Sequence, residues 1–213
     1  MSNAIKEKSL MQKSISEKLE LINNNAPGMV YQFKLALNGE MSFPFVSKGC
    51  FDIYALTASE LMNSPLESLQ MHHPDDQAEF ERSVAESAQT LIQWNYEGRI
   101  IVNDQIKWIK GRSNPQKMDD GSIVWDGVLI DITTEKQYQE RLKEIADNID
   151  GVVFEFNRYP KGAYSIAYIS EGVKQLYNIS PKDAYSDIES VFNPIIQEDL
   201  DRVLKTIEES YEQ

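Results

Sequence analysis

Met29-Val-Tyr-Gln-Phe-Lys-Leu-Ala-Leu37, Asn38-Gly39 and Met41-Ser-Phe-Pro-Phe-Val46 form an apolar, aromatic run, a turn pair and a second such run. Alternating β-branched and aromatic residues read as a strand on each side, and Asn-Gly supplies the two-residue turn of a hairpin. The hairpin is written twice. A shift of 123 residues superposes Gly28 on Gly151, Val30 on Val153, Phe33 on Phe156, Gly39 on Gly162, Ser47 on Ser170 and Gly49 on Gly172. Tyr54 and Tyr177, Asp76 and Asp199, and Glu86-Ser87 and Glu209-Ser210 follow in the same register. One register held across strands, turns and a helix predicts a repeated module. The second copy stops about halfway, at Gln213, so the expectation is a protein that continues.

Outward from the hairpin, Gly49 to Leu56, Ala58 to Asn63 behind a capping Thr57, and Pro65 to Met71 read as short helices broken by turn residues. Pro74-Asp75-Asp76 opens a longer helix with Phe80, Val84, Ala88 and Leu91 on one face. Proline and acids suit a first turn, where amides are unpaired and the dipole is positive. Trp94 to Val102, Ile106 to Ser113 and Ser122 to Ile132 read as strands joined at Asn103-Asp104 and Asp119-Asp120-Gly121. The sum is an α+β fold, a five-stranded antiparallel sheet with helices on one face. Met11, Ile15, Leu19 and Ile22 form a helical stripe before the first copy, and Tyr138, Leu142, Ile145 and Ile149 form another before the second. The 4-3-4 rhythm of the second stripe fits a helix packed on its own domain or a short two-stranded coiled coil.

A chain of 213 residues with a repeat of this length divides into two modest domains. No apolar run approaches the roughly 20 residues of a spanning helix, and the first residues are too charged for a signal peptide. With 34 acidic and 21 basic residues the net charge is −13, which opposes binding to a phosphate backbone. Cys50 is the single cysteine, which rules out an internal disulfide and suits a reducing, cytoplasmic location.

Four stretches, Phe45-Val-Ser-Lys-Gly49 with Ile53-Tyr54, His73-Pro-Asp-Asp76, Ile106-Lys-Trp-Ile-Lys-Gly-Arg112 and Gly127-Val-Leu-Ile-Asp-Ile-Thr133, in this order, resemble the PAS superfamily, specifically the bacterial PAS-PAC sensor type. Tyr168-Ile-Ser-Glu-Gly-Val173 and Tyr177-Asn-Ile-Ser-Pro181 carry the likeness into the second copy, which departs from it with Gln197-Glu198-Asp199 in place of the histidine stretch. The resemblance implies an N-terminal helix over 1–24, a sensor domain over 25–133, a linker helix over 134–149 and the first half of a second domain over 150–213. It implies a non-catalytic sensory and dimerisation module of a bacterial signal-transduction protein, a homodimer through 1–24 or 134–149, with Asp131 and Thr133 relaying change to an outgoing helix and a downstream output domain. A purely structural dimerisation scaffold, or a haem- or flavin-binding sensor, are the alternatives.

No phosphate-binding glycine loop, nucleophile elbow or Cys/His cluster is present, so no enzyme chemistry is indicated. His72 and His73 are the only histidines; His73 stands where a helix cap is expected, and no third ligand accompanies them for a metal. Cys50 reads as a small buried thiol, and Asp75-Asp76 and Asp119-Asp120 as solvated carboxylates at helix starts and turns. Tyr31, Phe33, Phe45, Tyr54, Trp94, Tyr96, Trp108 and Trp125 fall mostly on alternating strand positions. They either fill a core or line a cavity for a small-molecule ligand. Arg99 and Arg112 would meet an acidic ligand if they faced inward, and Asp131 is expected to pair with Lys110 or Arg112 across the sheet.

Overall fold

A computed structural model describes residues 18, 23, 25–159 and 164–211. The stripe Met11, Ile15, Leu19 and Ile22 of the expected N-terminal helix lies outside the described residues. The chain divides into two compact units, Met1–Lys136 and Gln137–Gln213.

In the first unit, β1 (Met29–Leu35), β2 (Met41–Val46), β3 (Trp94–Val102), β4 (Gln105–Lys117) and β5 (Ile123–Asp131) form one sheet in the order β2-β1-β5-β4-β3, every neighbouring pair antiparallel. Between β2 and β3 run α1 (Cys50–Tyr54), α2 (Ala58–Asn63), α3 (Pro65–Gln70) and α4 (Pro74–Thr90). This is the α+β layer expected from the hydrophobic pattern, and β4 runs on to Lys117, past the expected end at Ser113. Thr57 caps α2 with a full capping box, its hydroxyl accepting from Glu60 N while Glu60 reaches back to Thr57 N.

The hairpin differs from expectation at its tip. Ala36 N donates to Glu40 O and Gly39 N to Ala36 O, both at 2.9 Å, so the loop is Leu37-Asn38-Gly39 rather than Asn38-Gly39 alone. Gly39 takes φ +83°, the left-handed position that a three-residue hairpin loop assigns to glycine. The two-residue turn with both central residues at positive φ occurs instead at Asn103-Asp104.

A β-bulge decides which aromatic residues of β2 face the helices. Gln32 pairs with Phe45 but Lys34 with Ser42, so β2 carries one more residue than β1 in this interval. The alternation therefore slips between Phe43, which is buried, and Phe45, which is 37% exposed. The free edge of β3 is covered by Met71–His73: Ile101 N donates to Met71 O and His73 N to Arg99 O. Such cover removes unpaired edge groups that would otherwise invite strand addition.

Two tryptophans fasten α4 to the sheet. Trp94 Nε1 donates to Ser83 Oγ at 2.9 Å and Trp125 Nε1 to Ser87 Oγ at 3.0 Å. Burying an indole leaves its N–H to be satisfied inside, and the two serines one helical turn apart do so.

The second unit holds β6 (Phe154–Arg158) paired antiparallel with β7 (Tyr164–Ile169), then α6 (Gly172–Tyr177), α7 (Pro181–Ser186), α8 (Glu189–Phe192) and α9 (Gln197–Tyr211). Val30 N donates to Ser47 Oγ at 2.9 Å in one unit and Val153 N to Ser170 Oγ at 3.0 Å in the other. Ser47 N and Ser170 N return the bond to Val30 O and Val153 O, each at 2.8 Å. The register also shifts between Glu155 and Phe156, where Ala167 stands at the position of Pro44. Ala55 and Asn178, again 123 apart, both end their helices in the left-handed conformation. Leading into this unit, α5 (Thr133–Asp147) leaves Tyr138, Leu142 and Ile145 more than half exposed.

Candidate functional site: a cavity between sheet and helices

Beneath α1, α3 and α4 the sheet of the first unit encloses a cavity of about 460 Å³. Its floor follows from strand alternation: Met29, Tyr31 and Phe33 of β1, Ile109 and Ser113 of β4, and Trp125 and Leu129 of β5 all face it. Tyr54, Leu69, His72, Phe80 and Val84 form the roof. Leu66, Gln70 and Glu81 line it too and are exposed, which places the mouth between α3 and α4.

Polar groups are few here, and their state is set by burial. Burial pushes the Tyr31 hydroxyl up to about 12, so it stays protonated. His72 is 6% exposed, and burial lowers its pKa below the usual histidine value, favouring the neutral ring. Its Nδ1 lies 3.1 Å from Leu69 O, which can only accept, so Nδ1 carries the hydrogen and Nε2 the lone pair. The ring stacks on Phe80 at 3.7 Å between centroids. His72 Nε2, the Tyr96 hydroxyl and Ser113 Oγ are buried with no partner at full hydrogen-bond geometry, although the Ser113 hydroxyl stands close enough to that of Tyr31 to oppose the effect of burial on it. Such orphans are rare in a folded interior.

Of the residues singled out from the sequence, Tyr31, Phe33, Tyr54, Trp94 and Trp125 line the cavity. Phe45, Tyr96, Trp108, Arg99 and Arg112 do not. The bulge turns Phe45 outward. Tyr96 is on the inner face but lies over Gly98, against His72 and Phe80. Trp108 alternates with the buried Ile109 and faces the other way, under Lys136 at 4.9 Å. Arg99 is held at the sheet edge by Asp76, and Arg112 Nε donates to Gln93 Oε1 at 2.8 Å, so neither offers its charge to the cavity. Asp76 corrects the reading as a solvated carboxylate, whereas Asp120 is exposed at its turn as that reading has it. Asp76 pairs with Arg99, while Asp120 accepts from Ser122 N and pairs with Lys34 at 3.0 Å.

Sequence reasoning missed Ser113 and passed over His72 as a metal candidate. A serine between aromatic strand positions carries no local sign that its hydroxyl is unpaired. His73 caps α4 as expected, its Nδ1 accepting from Asp75 N. Cys50 is fully buried with its thiol donating to Leu56 O at 3.3 Å, and it does not line the cavity. No group of metal-binding side chains is found among the described residues. Haem carries two carboxylates and flavin mononucleotide a phosphate, and no Lys or Arg is among the lining residues to meet them, so the residues present do not fit either group.

At the far end of β5, Asp131 pairs with Lys107 at 3.7 Å, not with Lys110 or Arg112. The register sets Asp131 opposite Ile109, and Lys107 shares the face of Ile109 whereas Lys110 and Arg112 lie on the other face. Lys107 Nζ also donates to Asp52 O on α1 at 2.6 Å. Asp131 Oδ1 accepts from Thr133 N, and Thr133 Oγ1 accepts from Trp108 N at 2.9 Å, tying the first turn of α5 to β4. On the opposite face Glu97 of β3 holds Lys136 of α5 at 2.5 Å and Lys110 at 3.6 Å.

Five antiparallel strands in this order, with helices gathered over one face and a cavity beneath them, make a two-layer α+β domain. The family model described as "PAS fold" matches residues 43–129. Among solved structures the chain is similar to the N-terminal domain of a diguanylate cyclase with PAS/PAC sensor from Marinobacter aquaeolei, at 16% identity and TM-score 0.43, covering 50% of this chain and 98% of that one. It is also similar to a PAS domain from Colwellia psychrerythraea, at 19% identity and TM-score 0.43, covering 56% and 98%. A sensory box histidine kinase/response regulator from Burkholderia thailandensis matches at 18% identity and TM-score 0.41, over 55% and 86%. No curated protein matches the chain. No helix among the described residues is long and apolar enough to cross a membrane.

Proposed function

We propose that this chain is the sensory part of a cytoplasmic bacterial signal-transduction protein, built as tandem PAS units, in which a small molecule in the first unit's cavity alters the hold on α5. The observation that carries the reading is the cavity of about 460 Å³, walled by apolar and aromatic side chains with Tyr31, Ser68, His72 and Ser113 among the few polar residues that line it. Ligand sites have this make-up, apolar walls with a few convergent polar groups. A ligand that favours one of two arrangements of the sheet would shift the hold on α5 through the Asp131–Thr133–Trp108 and Glu97–Lys136 contacts, since β3, β4 and β5 all line the cavity. The matched bonds of the two hairpins support one module used twice.

The exposed stripe Tyr138, Leu142 and Ile145 supports pairing of α5 with the same helix of a second copy, a short coiled coil that passes the change to a downstream output domain. Native mass spectrometry of freshly purified protein tests both parts. A dimer carrying a small molecule is the expected result. An empty dimer favours a scaffold, and a monomer that stays empty after exposure to cell extract overturns the reading.

A further inference from the structure

Resting on the reading that the cavity takes a ligand, we infer the class of that ligand: a single-chain amphiphile whose alkyl tail fills the cavity and whose cationic amine head stays at the mouth between α3 and α4, against Glu81.

The tail follows from the walls. Met29, Tyr31, Phe33 and Leu35, the inward residues of β1, all line the cavity, so it runs the length of that strand, about 20 Å at ~3.3 Å per residue. Leu66, Leu69 and Val84 close it from the helices. A straight alkyl tail can lie along this space and exchange water for apolar contact.

The inner part of the cavity holds no charge. Burial keeps the Tyr31 and Tyr54 hydroxyls protonated and favours a neutral His72. The Ser68 hydroxyl donates to Pro65 O at 2.9 Å, and His72 Nε2 and Ser113 Oγ are covered by the protein itself. A charged head carried inward would leave water with no counter-charge to meet it, so the head stays where solvent reaches.

The sign of the head follows from the mouth. Glu81 is the one carboxylate on the lining and is exposed there, and no Lys or Arg lines the cavity. Gln77 Nε2 donates to Glu81 Oε1 at 2.7 Å, and no described Lys or Arg neutralises the carboxylate. Around it α3 carries one acidic residue and α4 five, against the single basic residue Arg82, in a chain whose net charge is −13. An anionic head would enter this field unpaired, whereas an ammonium finds its partner in Glu81.

The test uses the full chain at pH 7 and low salt with decylamine, 1-decanol, decanoate and propylamine, each below its solubility or micelle limit. Trp94 and Trp125 line the cavity, so tryptophan fluorescence reads its occupancy and calorimetry confirms it. We expect decylamine to bind about threefold more tightly than 1-decanol, the worth of one exposed ion pair, and decanoate to bind more weakly than either. Propylamine, which has the head without the tail, should leave the fluorescence unchanged. Glu81→Gln, on the exposed face of α4, should bring decylamine down to the level of 1-decanol, and high salt should do the same in the unaltered chain. Equal binding of decylamine and 1-decanol, tightest binding of decanoate, propylamine matching decylamine, or a preference that survives Glu81→Gln overturns this inference and leaves the cavity reading standing. Binding of none of the decyl compounds also overturns it, and native mass spectrometry of the purified protein then decides the cavity reading separately.

Discussion

Asp76, in the first turn of α4, grips Arg99 of β3 with both carboxylate oxygens: Oδ1 accepts from Nη2 at 2.6 Å, and Oδ2 accepts from Nε and from the Arg99 backbone N, each at 2.9 Å. Two-point pairing of this kind fixes orientation as well as distance. It locks the start of α4, and with it one lip of the cavity mouth, to the edge strand.

The Arg99 hydrogen bond and charge hold the Asp76 carboxyl at about 2, against an ordinary 3.8. As pH falls the unfolded chain takes up the proton first, so the contribution is complete above about 3.8 and is lost between there and about 2. Asp76→Asn should cost about 1–2 kcal/mol at pH 7, after allowing for solvent at the pair, and should flatten that acid limb. Urea titrations at several pH values measure both.

His72 titrates in a separate window. Burial lowers its folded pKa below the usual 6.5, so the unfolded chain binds the extra proton first and stability falls as pH drops below about 6.5. His72→Gln should remove this slope while leaving the one from Asp76 in place. A slope below pH 6.5 that persists in the variant would assign it to another group.

A side chain at Gly49 would collide with Gly28 O, and one at Gly172 with Gly151 O. Gly49→Ala should therefore destabilise the first unit by about 2–3 kcal/mol through overpacking against backbone that cannot yield. Gly172→Ala should do the same to the second. Hydrogen exchange resolved by unit checks whether the two substitutions act alike, as a repeated module requires.

Thr133→Val removes the acceptor for Trp108 N, and Lys136→Ala removes the ion pair with Glu97. Each should loosen the first turn of α5, by about 1 kcal/mol for the lost hydrogen bond and less for the partly exposed ion pair. Faster amide exchange at residues 133–137 is the expected readout. If the outgoing helix carries the signal, Asp131→Ala should alter output of the full transducer, and an unchanged response would remove Asp131 from the relay.

Much of the architecture was legible because its signals are local. Thr57 with Glu60, Pro74 behind His73 and Asn103-Asp104 each act within a few residues, and each stands where expected. The inward aromatic residues of β1 were legible from alternation alone. Phe45 was not, because a bulge at Pro44 shifts parity, and a proline in a strand marks an edge strand or a bulge without saying which. The partner of Asp131 is Lys107 rather than the expected Lys110 or Arg112, because two strands that alternate correctly can still be slid past each other, and the slide determines which face meets which.

From the residues alone came the order of strands and helices and the capping of α2 and α4, carried by periodicity and short-range backbone chemistry. Only the tertiary structure decided that Arg99 serves Asp76, that Lys107 serves Asp131, and that His72 and Ser113 are left with unspent hydrogen-bonding capacity beside a cavity. The two pairings depend on residues more than 20 positions apart meeting across the fold. Cross-strand register and helix docking set such distances, and no local pattern encodes them.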